Sequence, residues 1–252
     1  MSKPQVWTWE PNADSLKLLI ALKEKNLPFK SSYVDLLNLE HHSEAYKTAT
    51  NGHTQAPVLV EDGMAMTDSQ LALEYLAEAF EPRLAPADPA GWYDIQAWTA
   101  QLDQGLGPNV RLLGWHTVTA PGMSGAERQA FLDRSAKAPK PQVQAGWAQV
   151  TDDAEASEDQ LANARERVGQ TVERIEAALQ GSDWLVGGAY SVADINAFAL
   201  AHTLPRLTPE LVNAEKTPKL MAWLKRVSGR AAVKEALAMG KSPGKDVYAP
   251  AI

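Results

Sequence analysis

Gln55-Ala56-Pro57-Val58-Leu59-Val60-Glu61-Asp62-Gly63, followed shortly by Asp68-Ser69, is the stretch that decides the fold. A proline opening a short apolar run has no N–H to give a ladder, so it belongs at an edge or a turn. A cis bond before Pro57 suits a loop that must fold sharply back. In that geometry the N–H and C=O of Ala56, next to Gln55, face outward and can pair with a peptide-like ligand. Asp68-Ser69 then opens a segment with Ala72, Tyr75, Leu76, Ala79 and Phe80 at helical spacing. The free N–H groups and positive dipole end of such a helix favour an anion. Taken singly, Pro57 could be a simple turn proline and Asp68 or Ser69 a plain N-cap. The order strand, proline loop, hairpin, capped helix is what gives them weight.

Upstream, Val6-Trp7-Thr8-Trp9 alternates like a short strand and ends in the turn Glu10-Pro11-Asn12. Asp14-Ser15 precedes a strongly apolar segment, Leu16 to Leu22, with Asp14 read as the helix cap and Ser15 one step inside. Asn26 and Pro28 stop that helix, and Phe29 to Val34 reads as a second strand. The sequence order is β-α-β, a helical connection, then β-β-α, which is the thioredoxin arrangement. The proline-rich break from Glu81 to Pro89 divides the chain into residues 1–82 and 88–252.

Beyond the break no strand alternation stands out, and the second domain is expected to be all helical. Leu161, Ala164, Val168, Val172, Ile175 and Leu179 mark one amphipathic helix. Thr217-Pro218 opens another. Ser191-Val192-Ala193-Asp194 reads as a capping box, with Tyr190 and Ile195 placed for a hydrophobic staple. The stretch from Pro121 to Glu158 is poorly periodic.

The chain has 252 residues, 45% of them apolar, and a formal net charge of −7. That balance argues against nucleic acid or an anionic membrane surface as the main partner. There is no cysteine, so any thiol in the chemistry must come from a ligand. No signal-peptide-like or membrane-spanning run is present, and a soluble cytoplasmic protein is expected. Neighbouring histidines such as His41-His42 cannot easily share one ion, so no metal site is expected.

An edge for a peptide beside a seat for a carboxylate suits glutathione. On these residues the chain resembles the cytosolic glutathione transferases, whose cis-proline would be Pro57 and whose γ-glutamyl contacts would be Asp68 and Ser69. The segment Trp184 to Ile195 resembles the capping box and staple of their helical domain. The resemblance implies an α/β thioredoxin-like domain followed by an all-α domain, two chains per molecule, and glutathione as co-substrate. Asn12, His41, His42, Gln55, Ala56, Pro57, Asp68 and Ser69 would contact it, although His41 and His42 also read as solvated loop histidines.

A free thiol titrates near 8.5, and lowering it two units takes about 2.7 kcal/mol. A helix dipole supplies up to about 2 kcal/mol and a hydrogen bond to a charged group about 1.5–3. One hydroxyl at the start of the first helix therefore suffices. Ser15 is the only hydroxyl between Trp9 and Lys25 and becomes the catalytic candidate, with a plain capping role as its alternative.

Pro11 to Lys17, Leu39 to Ser43, Leu113-Gly114-Trp115 and Val212 to Pro218 narrow the resemblance to the bacterial glutathione-dependent β-etherases of lignin degradation. Their Asn-Ser pair before the first helix becomes Asp14-Ser15 here, and Gly52 and Thr54 replace the Pro and Gly usual around the Pro57 loop. The implied reaction is thiolate attack on the carbon bearing an aryl ether. The implied partner is a small aromatic electrophile, with Trp115, His116 and Trp147 as pocket walls or, equally, ordinary helical core. Other transferase, isomerase or dehalogenase chemistry, and glutathione or partner binding without catalysis, stay open.

Overall fold

The computed structural model describes residues 3–36, 38–119, 121, 124–135 and 156–241. Strand β1 (Gln5–Thr8) runs into helix α1 (Ala13–Glu24) and returns through β2 (Lys30–Tyr33), which lies parallel to β1 with Gln5 opposite Lys30. A 3₁₀ turn (Glu40–His42) and α2 (Glu44–Ala49) lead to β3 (Val58–Glu61), antiparallel to β1 with Val6 opposite Leu59. Asp62 and Gly63, both at positive φ, turn the hairpin into β4 (Met64–Met66), and α3 (Ser69–Ala79) follows. The sheet order is β2-β1-β3-β4, the thioredoxin-like topology.

The period of two along the strands separates two cores. Val6 and Leu59 join α1 and α3 in the main core. Trp7, Val58 and Val60 join Val34 and Tyr46 in a smaller one beside α2. The Ala56-Pro57 bond is cis, as the sequence implied, and so is Glu81-Pro82.

After Asp88, whose carboxylate caps Gly91, every regular element among the described residues is helical. They are α4 (Pro89–Gly105), α5 (Gly107–Gly114) with a π-helical turn (Trp115–Thr119), α6 (Gly125–Ser135), α7 (Glu158–Ala178), α8 (Val192–Ala201), α9 (Leu204–Leu207), α10 (Pro218–Ser228) and α11 (Ala231–Leu237). Helix α6 falls inside the stretch that reads as poorly periodic. Its sequence, GAERQAFLDRS, has helix formers but few apolar residues to reveal a face.

Helix α8 is buried at every residue and packs against α1, α3, α4 and α10, so it joins the two halves. Its capping box forms: Ser191 Oγ accepts from the Ala193 N–H, and Asp194 Oδ2 accepts from the Ser191 N–H at 3.0 Å. Asp194 does more than cap. Its Oδ1 also accepts from the Leu185 N–H and from Trp223 Nε1 at 2.9 Å. Tyr190 packs edge-on against Trp184, under the Arg230 guanidinium.

Two cross-ties fix α1 at its far end. Lys25 donates its ammonium to the carbonyls of Ala77, Phe80 and Pro82, satisfying the last turn of α3 and countering its dipole. Arg230 grips Glu24 with a two-pronged ion pair that docks α11.

Burial pushes the Asp194 carboxyl up to about 6, against the pull of its Trp223, Leu185 and Ser191 donors. The folded value lies above the ordinary carboxylate value, so the fold binds that proton more tightly than the unfolded chain does. The stability Asp194 lends is complete below about pH 4 and declines as pH rises through about 6. Relative to Asp194→Asn, which does not titrate, the native chain should lose roughly 2–3 kcal/mol between those limits. Urea unfolding of both proteins at pH 4.5 and pH 7 measures it. A native advantage that widens with pH would contradict the sign.

Candidate functional site

Two helix N-termini meet at one edge of the α1–α3 packing. At the start of α1 the cap is Asn12, not Asp14: Asn12 is extended and its Oδ1 accepts from the Ser15 N–H at 2.9 Å. Asn and Asp are equally good caps, so the sequence did not rank them. The helix therefore starts two residues earlier than a cap at Asp14 would place it. Ser15 thereby becomes the third residue of the helix. It is 1% exposed, and its Oγ is buried with no hydrogen-bond partner among the described residues. A hydroxyl left so costs about 1–3 kcal/mol.

Asp14, at the second helical position, points toward α3. Its Oδ1 accepts from Ser69 Oγ at 2.8 Å and lies 3.6 Å from Lys17 Nζ, whose side chain is only 5% exposed. At the start of α3, Asp68 is the cap, and its Oδ1 accepts from the N–H groups of Gln70 and Leu71. Asp103 on α4 faces the same junction. Burial pushes its carboxyl up; Lys17 opposes that shift, and the charges of Asp14, Asp68 and Glu74 add to it. Neither Lys17 nor Asp103 was picked out by sequence reasoning, since one sits in an apolar run and the other on a helix in the second half.

The Gln55–Pro57 turn lies past the end of the sheet ladder, whose last β1–β3 pair is Trp7 opposite Val58. Gln55 is exposed, Ala56 half-buried and Pro57 buried, and no backbone hydrogen bond among the described residues uses Ala56. Tyr46, buried on α2, donates its hydroxyl to the Gln55 carbonyl. Thr50 Oγ1 donates to the His53 carbonyl at 2.9 Å. Gly52 has φ +85°, a conformation closed to proline, which accounts for a glycine there.

His41 and His42 are not solvated. His41 is 5% exposed, the two rings lie 4.1 Å apart, and His42 is half-buried. Burial and then the neighbouring His42 push His41 down to about 4, so it is neutral at pH 7 and keeps one ring N–H to donate.

Tyr33 is no rival to Ser15. Its hydroxyl donates to buried Glu10 at 2.6 Å, and burial together with that carboxylate moves its ionisation well upward. Glu10 also accepts from the Lys241 N–H, which brings the chain after α11 beside the β1–α1 turn.

Asn12, Ser15, Asp68 and Ser69 are therefore brought together, and the Pro57 turn leads into the start of β3. Trp115 and His116 sit half-buried on the π-helical turn after α5, a helix packed mainly on α7 and α4. Trp147 lies outside the described residues. Among the described residues no group of three His, Asp or Glu side chains is placed to hold a metal, and no helix is long and apolar enough to cross a membrane.

Residues 15–79 match the glutathione S-transferase N-terminal domain and residues 140–231 the C-terminal domain. Protein LigF of Sphingobium sp. is 35% identical over 240 residues, 92% of this chain and 91% of that protein. The chain belongs to the glutathione S-transferase family. The crystal structure of beta-etherase LigF from Sphingobium sp. strain SYK-6 superposes on this family member with a TM-score of 0.81 at 34% identity, covering 94% of this chain and 99% of that one. Mouse glutathione S-transferase theta-1 is 27% identical over 83% of this chain and 76% of its own length. A Burkholderia graminis glutathione transferase solved with two bound glutathione molecules per subunit shares the fold, with a TM-score of 0.71 at 22% identity over 95% of this chain and 89% of that one.

Tyr46→Phe removes the one side-chain tie on the Gln55 carbonyl among the described residues and leaves the edge packing on Trp7 in place. Stability should fall by about 1 kcal/mol, and the amides of Gln55 and Ala56 should exchange faster while those of β1 and β3 do not. Unchanged exchange at the turn would show that it is held by the backbone alone.

Proposed function

We propose that this chain is a glutathione-dependent β-etherase acting on small aromatic β-aryl ethers. The observation that carries the glutathione half is the Ser15 hydroxyl, buried at the N-terminus of α1 and without a hydrogen-bond partner among the described residues. Such a group is explained if its hydrogen bond is made to a ligand. The site fits the tripeptide elsewhere too: the Ala56 backbone is uncommitted, and the Ser69 N–H is unclaimed among the described residues because Asp68 takes those of Gln70 and Leu71. The ether half rests on the likeness to LigF along nearly the whole chain.

When bound, glutathione supplies a thiolate that displaces the aryloxide from carbon, so that a C–S bond replaces a C–O bond and a phenol leaves. Ser15 donates its hydroxyl hydrogen toward the sulfur and holds it ionised, helped by the positive end of α1. Ala56 pairs with the peptide backbone next to Pro57, held in place by Tyr46 on the Gln55 carbonyl. Asp68 and Ser69 meet the γ-glutamyl end, with Asp103 beside them. Neutral His41 or His42 donates to the glycyl carboxylate, and Asn12 holds the helix end. Residues 1–82 would form this glutathione-binding unit. Residues 88–252 would present the aromatic pocket, with Trp115 and His116 in its wall.

A dimer accords with Met64, Leu71 and Tyr93, which are 52%, 63% and 73% exposed on β4 and near the starts of α3 and α4. Sedimentation at micromolar concentration should show two chains per particle, and a monomer throughout would remove it.

Ser15→Ala gives the sharper test. The apparent pKa of bound glutathione should rise by about one to two units, the loss of a 1.5–3 kcal/mol charged hydrogen bond. Ether cleavage should fall ten- to a hundredfold at neutral pH and partly recover at higher pH. The ligand-free variant should be as stable as the native chain or more so, because the hydroxyl is unsatisfied there. Superposable thiolate titrations, followed by absorbance, would take Ser15 out of the mechanism. Turnover of a chloronitrobenzene without release of phenol from a β-aryl ether would assign a different electrophile.

A further inference from the structure

The residue that departs from the β-etherase pattern, Asp14, sits between the two helix N-termini. Its Oδ1 already accepts the hydrogen of Ser69 Oγ, with Lys17 Nζ 3.6 Å away. Asp68 consumes the N–H groups of Gln70 and Leu71, and the Asp68 carbonyl takes that of Ala72. That leaves two donors at the mouth of α3 for an incoming carboxylate, the Ser69 N–H and the Ser69 hydroxyl. One of them is held by Asp14.

We propose that Asp14 is a specificity-determining residue whose carboxylate occupies the ligand-carboxylate position on Ser69 and must yield it when glutathione binds. The inference rests on the glutathione reading above and concerns one end of that ligand, the α-carboxylate of its γ-glutamyl group. An ionised Asp14 lies in the path of that anion and repels it, and it withdraws half of the donor pair. The arrangement leaves the amino group of the same end unopposed, since Asp14, Asp68 and Asp103 are all acidic. The site therefore discriminates by charge within a single residue of its ligand. The Asp14 side chain is 60% exposed, so water screens the effect and keeps it modest.

Calorimetry on the native chain, Asp14→Ala and Asp14→Asn with three tripeptide probes separates the possibilities. The probes are glutathione, glutaryl-cysteinylglycine, which lacks the amine, and 4-aminobutanoyl-cysteinylglycine, which lacks the α-carboxylate. Asp14→Ala should bind the first two about three- to tenfold tighter than the native chain does, and the third, which keeps only the ammonium at that end, no tighter. Asp14→Asn keeps an acceptor for Ser69 without the charge, and its gain should fall between. Because that change is nearly isosteric, it also answers for any loss of folding in the alanine variant. Glutathione affinity equal in all three proteins overturns the role of Asp14 while leaving the glutathione reading intact. An equal gain for the carboxylate-free probe overturns it too, as a bulk charge effect. If neither the native chain nor a variant binds glutathione saturably, the glutathione reading falls and this inference with it.

Discussion

The site depends on the burial of helix α1. From Ser15 to Leu22 no residue of it is exposed, because the sheet, α3, α8 and α11 enclose it. A helix buried on all sides carries no free choice of rotation. Its first turn must therefore project the same groups in the same direction: Asn12 as the cap, Asp14 toward α3, and Ser15 inward. The lysines Lys17 and Lys25 look out of place in such a helix, and both are resolved by pairing. Lys17 lies beside Asp14, and Lys25 closes the carbonyls at the end of α3. Lys25 thus ties the C-terminal end of α3 to α1, and Asp14 ties its N-terminal end. The two helices are held at both ends, which is what fixes the junction where their dipoles converge.

Features set by short-range chemistry were legible in the sequence. The cis bond before Pro57, the Asp62-Gly63 hairpin and the Ser191–Asp194 box each follow from two to four neighbouring residues, and the strand and helix order follows from periodicity. Features set by long-range partners were not. Asp194 reads as a cap, yet it also receives Trp223 from α10, 29 residues away. Asp103 joins the α1–α3 junction from beyond the proline-rich break. His41-His42 reads as a polar loop, and its burial becomes visible only once the 3₁₀ turn packs. The choice between Asn12 and Asp14 as cap turns on two residues of register, where propensity has no preference. Helix α6 was missed for a different reason, having little apolar surface by which a face could be recognised.

A net charge of −7 does not by itself bar the proposed anionic peptide from the junction. Net charge acts at long range and is screened beyond about 8–10 Å. At contact distance the relevant charges are the two helix ends, the buried Lys17, and the acids Asp14, Asp68 and Asp103. Positive potential is concentrated in backbone N–H groups, and the acids sit at its border. A ligand that carries both an ammonium and carboxylates is matched by such a border, whereas a simple anion meets as much repulsion as attraction. His41, held neutral by burial, can donate one hydrogen bond without adding a further full charge.

Ser15 also shows where the fold departs from its own optimum. An alanine at that position would keep helix propensity and packing and remove an unsatisfied hydroxyl, so the ligand-free fold gains nothing from the serine. Asp14 departs similarly: a carboxylate at the second helical position favours the dipole, yet this one turns aside to hold Ser69. Two adjacent residues thus place groups where the bare fold does not require them, Ser15 inside the first turn of α1 and Asp14 across to α3. A residue that costs the ligand-free fold stability is explained by what it does when a ligand is present. Two such residues in one helix turn are therefore stronger support for a ligand site at that helix end than either hydroxyl or carboxylate taken alone.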